Sequence, residues 1–344
     1  HWGQVVTSWN QVPMPMAAPA AHNPALVLDW CRFCSGMIVG FVKMQTDLLR
    51  QLTPKCPVTT NLRPLIHRFD HFDLAEVLDF VSLESTTALR SKSAELACEI
   101  DMLRSLKKAD IRTPDGDTGF WVMEQQAGNV TWQEVNALLR PGLLRMFTYQ
   151  LVSRGATAIV FFRWRQPRFG SEKFHGAVLP HNARATARVF KEVAQLGDEM
   201  KLLAPALKGT RVQAETCILY SHDNDWALQQ PTQPNKFFHL REHIQLFYNA
   251  LHDRNIAVDF ARPTEDLSRY KLVLAPSLHL LAGGEADRLK LYVQNGGTLV
   301  ATFNTGLADE HNQAPDTGYP HDLTDLFGLE VLEFDQLPTG EENH

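Results

Sequence analysis

A chain of 344 residues exceeds the size of one ordinary domain, so two domains are expected. Its hydrophobic share of 44% and charged share of 21% are those of a globular protein, and a net charge of −6 argues against nucleic acid or an anionic membrane surface as the main partner. No apolar run approaches the ~18 residues of a membrane span. The 5 cysteines, Cys31, Cys34, Cys56, Cys98 and Cys217, are too few and too scattered for a disulfide framework. Cys31 and Cys34 form a lone CxxC inside a helical pattern. One pair cannot close a tetrahedral zinc site, so both are read as buried helix thiols in a reducing compartment. The sequence starts at His1 with no signal or transit pattern. A cytoplasmic location is expected, for a chain that reads as a fragment or a processed product.

Residues 11–22 are rich in Pro and Ala without a period and read as a loop. Asn23-Pro24 supplies an N-cap and a first-turn proline, and Leu26, Trp30, Phe33, Met37, Phe41, Met44 and Leu48 recur at helical spacing until Thr53-Pro54. Strands and helices then alternate. Residues 57–61 and 78–83 are β-prone, 90–107 helical, 120–123 a strand, and Leu144, Phe147 and Leu151 mark a helix. Residues 157–162 form the most apolar strand, and Val189, Val193, Leu196, Met200 and Leu203 mark a further helix. Such alternation predicts a parallel sheet. Four strand units before residue 205 make half of a (β/α)8 barrel or most of a small open sheet.

A joint falls at Ala204-Pro205 and Lys208-Gly209, dividing the chain into 1–208 and 209–344. Beyond it the pattern restarts with strand 212–220, helix 237–254, strands 256–260 and 271–275, helix 284–295 and strand 298–303. This is a second, doubly wound α/β domain. Gly283-Gly284 and Gly296-Gly297 do not fit GxGxxG and read as turn and cap glycines.

Chemistry gathers behind two barrel-like strands. Strand 120–123 runs into Glu124-Gln125-Gln126, then Gly128 and Trp132; strand 157–162 runs into Arg163-Trp164-Arg165-Gln166, then Arg168, Gly170, Glu172 and His175. Polar and aromatic residues after the C-terminal ends of parallel strands are where barrel enzymes hold their sites. A carboxylate there serves as nucleophile or general acid, and an indole face stacks on a sugar ring. The competing reading makes Glu124 the structural ion-pair partner of Arg163 or Arg165, with the tryptophans in the core.

The segment Phe120-Trp-Val-Met-Glu-Gln-Gln-Ala-Gly-Asn-Val-Thr-Trp132 resembles the nucleophile motif of glycoside hydrolase family 42, the bacterial β-galactosidases. Phe162-Arg-Trp-Arg-Gln-Pro-Arg-Phe-Gly-Ser-Glu-Lys-Phe-His175 resembles that family's last-strand motif. Cys217-Ile-Leu-Tyr220, Asp225-Trp226, Tyr270-Lys-Leu-Val-Leu-Ala-Pro276 and Gly296-Gly-Thr-Leu-Val300 resemble its trimerisation domain, a doubly wound unit of the flavodoxin or glutamine-amidotransferase type.

The resemblance implies the second half of a (β/α)8 TIM barrel followed by that domain, and a retaining β-galactosidase acting on terminal β-D-galactosides. Glu124 takes the nucleophile position, while Trp132, Glu172 and His175 take positions that line the galactose subsite. Arg163 or Arg165 is expected to keep Glu124 ionised. A homotrimer is expected through residues from about 211 onward, with Trp226, Phe237 and Phe238 as exposed aromatics, and without nucleic acid or membrane partners.

Three departures stand out. No Asn-Glu strand end supplies the family's acid/base, which is expected before His1 together with the cysteine zinc cluster, so no cofactor is assigned here. Trp2-Gly-Gln-Val-Val-Thr-Ser-Trp9 resembles a family loop with about five residues missing, a subsite tryptophan among them. Glu84 and Thr86, in Ser82-Leu-Glu-Ser-Thr86, stand where the family has Asp and Tyr. The alternative functions are a non-catalytic oligomerisation or sugar-binding fragment, or an enzyme using Glu84 itself as acid/base.

Overall fold

A computed structural model describes residues 2–64, 68–85, 93–109, 111–114 and 116–337. The first helix, α1 (Pro24–Leu52), starts as the sequence predicts: the Asn23 side-chain oxygen accepts from the backbone N–H of Ala25 (2.9 Å) and Leu26 (3.2 Å). Its apolar stripe, however, lies outside. Phe33, Met37, Phe41, Met44, Leu48 and Leu52 are all exposed, whereas Leu28 is fully buried. By length and composition alone α1 is also apolar enough to cross a membrane, which corrects the expectation that no segment reaches that threshold. Cys31 and Cys34 are free thiols, half-buried rather than buried.

One compact unit comprises Phe41–Leu65 and His71–Gln213. Its strands are β1 (Asn61–Leu62), β2 (Ser82–Ser85), β3 (Phe120–Gln126) and β4 (Ala156–Phe162), all parallel and paired in chain order. Helices α2 (His71–Val77), α3 (Ser93–Ser105), α4 (Leu143–Ser153) and α5 (Arg188–Leu207) alternate with them. Sequential parallel pairing with intervening helices is the connectivity of a barrel half. Leu62, Leu83, Ile100, Leu103, Phe120, Val122 and Leu151 fill the core. The first two strands are shorter than expected and begin later. The Val58 N–H is taken by the Asp79 carboxylate (2.8 Å), which also holds Arg50 (3.0 Å), so ladder pairing begins only at Asn61 and Ser82. Residues 90–92 of the expected helix 90–107, and Thr86, lie outside the described residues.

The other unit comprises His1–Gly40, Ile66–Asp70 and Ala214–His344. Its strands β5 (Thr216–Leu219), β6 (Val258–Ala261), β7 (Leu272–Ala275) and β9 (Thr298–Ala301) form a parallel sheet in the order β6-β5-β7-β9, while β8 (Leu280–Leu281) pairs with β10 (Ala308–Asp309). Helices α6 (His222–Leu228), α7 (Leu240–His252), α8 (Glu285–Gln294) and α9 (Thr324–Phe327) complete it. This is the expected doubly wound arrangement. Helix α6 was not legible: its sequence has no apolar period, and it is set by Ser221, whose hydroxyl accepts from the Asn224 N–H at 3.4 Å.

Compactness therefore divides the chain differently from 1–208 and 209–344. Residues of the N-terminal segment pack with α6 and the β8–β10 pair: Leu28 joins Trp226, Ala227, Leu280 and Ala308 in one apolar cluster. Arg32 donates to the Asp223 carboxylate at 2.7 Å and to the Glu310 carbonyl at 2.8 Å.

Candidate active site

Strand β3 carries Glu124 near its C-terminal end, next to Gln125, which is fully buried. The Asn61 side-chain amide, at the start of β1, donates to Glu124 Oε1 at 2.7 Å. Burial first, and then the charge of Glu84, push the Glu124 carboxyl above the usual range. The Asn61 bond opposes this and Glu172 adds to it.

The expected arginine partner is not there. Arg163 donates to Glu172 at 2.9 Å, and Arg165 donates to the His181 carbonyl at 2.7 Å. Both cations are turned to the loop after β4, so a neutral amide holds Glu124 instead. That corrects the expected ion pair. A carboxylate without a cation partner is the more basic one, and the better nucleophile once ionised.

The chain leaves β4 through a cis Phe162–Arg163 peptide bond and folds back on itself. Val178 N–H donates to Arg163 O (2.9 Å), Leu179 N–H to Trp164 O (2.8 Å) and Gln166 N–H to Leu179 O (3.0 Å). Within this loop the His175 N–H donates to the Glu172 carbonyl at 2.9 Å. The loop is tied to the segment after β3 by Gly176 N–H, which donates to Asn129 O at 2.6 Å, and by the Asn129 side chain, which donates to Phe174 O at 2.8 Å. Only glycines permit the approach: a Cβ on Gly176 would stand 2.5 Å from Gly128 Cα.

The crossing brings His175 against Trp132, with ring centroids 5.0 Å apart, and against Phe162 at 5.4 Å. His175 is 2% exposed and its Nδ1 is buried without a hydrogen-bond partner. Burial pushes this imidazole below its ordinary pKa, so it is neutral near pH 7. Trp132 is 53% exposed and offers an open indole face. Of the residues singled out in the sequence, Glu124 and Glu172 feel each other's charge and Trp132 touches His175. Trp164 instead packs on Phe190. Asn61 was missed as a site residue, although its place as the polar end of a β-prone run was a usable signal.

Among the described residues no group of three or more His, Cys, Asp or Glu side chains could hold a metal ion.

Comparisons with known proteins agree with this architecture. The β-galactosidase family model matches residues 1–203, and the β-galactosidase trimerisation domain matches residues 214–344. The β-galactosidase bgaB of Geobacillus kaustophilus is 37% identical over 338 residues, which is 98% of this chain and 49% of that protein. The β-galactosidase LacZ of Heyndrickxia coagulans is 34% identical over 340 residues, 98% of this chain and 50% of its own. The solved β-galactosidase of Bacillus circulans sp. alkalophilus superposes with a TM-score of 0.91 at 32% identity, covering 99% of this chain and 50% of that one. The chain thus spans about half the length of the relatives it matches. With one family model covering the barrel half and another the doubly wound domain, the chain belongs to glycoside hydrolase family 42, the β-galactosidases.

Proposed function

We propose that the chain carries the nucleophile half of a retaining β-galactosidase, with Glu124 attacking the anomeric carbon of a terminal β-D-galactoside. The observation that carries this is the state of Glu124: at the end of a barrel strand, oriented by the Asn61 amide and not paired with an arginine. Attack forms a glycosyl ester on Glu124 and expels the aglycone oxygen, which takes a proton from a second carboxylic acid roughly 5 Å away. The same group then deprotonates the water that hydrolyses the ester. Glu172 and Glu84 are poor candidates for it, because each already stands in an ion pair, with Arg163 and Arg63. The acid/base is therefore proposed to lie outside these 344 residues. Trp132, Glu172 and His175 are proposed to line the galactose subsite, the indole stacking on the sugar and the other two bonding its hydroxyls. A homotrimer built through residues 214–344 completes the reading.

A 2-deoxy-2-fluoro-galactosyl fluoride tests it, since fluoride departs without acid assistance. Peptide mass mapping is expected to find one fluorogalactosyl group on Glu124. Labelling of another carboxylate, or of none, overturns the assignment.

A further inference from the structure

Glu84 and Arg63 stand beside Glu124 with no part in the chemistry above. Strands β2 and β3 are parallel neighbours, and Glu84 is the residue directly across from Glu124 in their register. The register shifts between Leu83 and Glu84, a bulge of the kind that re-aims a side chain at the end of a strand. Asn61 reaches Glu124 from β1, so its bond spans β2, the strand that carries Glu84. Arg63, two residues beyond Asn61, places Nη1 4.0 Å from Glu84 Oε1, and the two side chains are only 38% and 30% exposed. The Arg63 Nε is buried without a hydrogen-bond partner.

We infer that Glu84, restrained by Arg63, is a positioning residue that sets the pH at which the Glu124 carboxyl ionises, and with it the acid limb of the enzyme's pH profile. This rests on reading Glu124 as the nucleophile. Two carboxylates facing each other across adjacent strands disfavour simultaneous ionisation. Arg63 pairs with Glu84, and the cost appears on Glu124, whose carboxyl is pushed up. The remaining groups around Glu124 do not replace this influence. Asn61 from β1 favours the ionised form; Glu172, from the loop after β4, acts in the same direction as Glu84 but less, its charge shared with Arg163; His175 beside it is held neutral by burial. A nucleophile must be ionised to attack, yet a more basic carboxylate attacks better, so the pair places Glu124 between these demands.

The test is a carboxyl titration followed by NMR on protein carrying 13C-labelled glutamate, with the Glu124 signal assigned by its loss in Glu124→Gln. Glu84→Gln is expected to move the Glu124 midpoint to lower pH and Arg63→Gln, by releasing Glu84, to move it the same way, while Glu84→Asp keeps it near the wild-type value. In the active enzyme the acid limb of kcat/KM is expected to move in the same directions, so that Glu84→Gln becomes the faster enzyme below the wild-type midpoint. A midpoint that stays put or rises in Glu84→Gln overturns the inference. Should that variant fail to fold, an unmoved midpoint in Arg63→Gln does the same. The NMR midpoint does not depend on turnover, whereas fluorosugar labelling does, so failure of this inference and failure of the proposed function are told apart.

Discussion

Glu124 is held by Asn61 through one short bond and lacks a cation, so replacing its carboxylate removes the attacking oxygen while leaving the amide a partner. Glu124→Gln is expected to lower turnover by several orders of magnitude with galactose affinity nearly intact; a variant retaining a tenth of wild-type turnover contradicts the role. His279 offers a separate test of burial. Its Nδ1 is buried without a partner, its Nε2 is 3.4 Å from the Asn312 side-chain oxygen, and burial lowers its pKa from 6.5 to about 4. Because the unfolded chain protonates this ring near 6.5 and the native fold only near 4, the unfolded state binds more protons between those values. Stability is present above about pH 6.5 and falls as pH drops toward 4, by about 3 kcal/mol for this ring if the full shift is realised. Urea midpoints at pH 7 and pH 4.5 are expected to differ less in His279→Gln than in wild type. Nothing in Leu278-His-Leu-Leu marks this histidine in the sequence; only the packing around β8 seals it in.

At the scale of elements, the site depends on two loops crossing at paired glycines. Gly176→Ala places a methyl against Gly128 Cα at 2.5 Å and Asn129 N at 2.6 Å, both backbone atoms that cannot rotate away. The crossing must open, at a cost of ~1–3 kcal/mol, and His175 moves off Trp132. Thermal melting and galactose titration calorimetry are expected to show lower stability and weaker binding together. Gly197 is the contrast: it lies inside α5, and a methyl added there would meet nothing within 4 Å. Gly197→Ala is expected to raise stability by up to ~1 kcal/mol in the same melting experiment, through helix propensity alone. Element types were legible because strand-like and helix-like apolar periods alternate. The starts of β1 and β2 were not, since a side chain, Asp79, takes the backbone donor that a ladder would otherwise use.

At the scale of the whole molecule, the aromatics expected on the outside of the second domain separate into different roles. Trp226 is core, packed with Leu28, Leu280 and Ala308. Phe238 packs against His243 and Phe303, and Phe237 is 83% exposed. Phe237 is thus the aromatic with area left to bury in a subunit contact. Light scattering at micromolar concentration is expected to give a three-subunit mass, and Phe237→Lys a smaller one. A monomer mass for the wild type rejects the trimer, and a dimer rejects a closed head-to-tail ring.

The amino-acid sequence alone was enough for the α/β class, through its family motifs for a barrel half followed by a doubly wound domain, and for the strand end that carries Glu124 and the loops that carry Trp132, Glu172 and His175. These follow from local properties: periodicity, turn residues and motifs contiguous along the chain. Which residue holds Glu124, which side of α1 is covered and which histidines are sealed from water were decided only by the tertiary structure. Asn61 and Glu124 are 63 positions apart and meet across two strand pairings, and no local pattern encodes that distance. The stripe from Phe33 to Leu48 had the spacing of a core face and lies exposed, because periodicity fixes which residues share a face and says nothing of what packs on it.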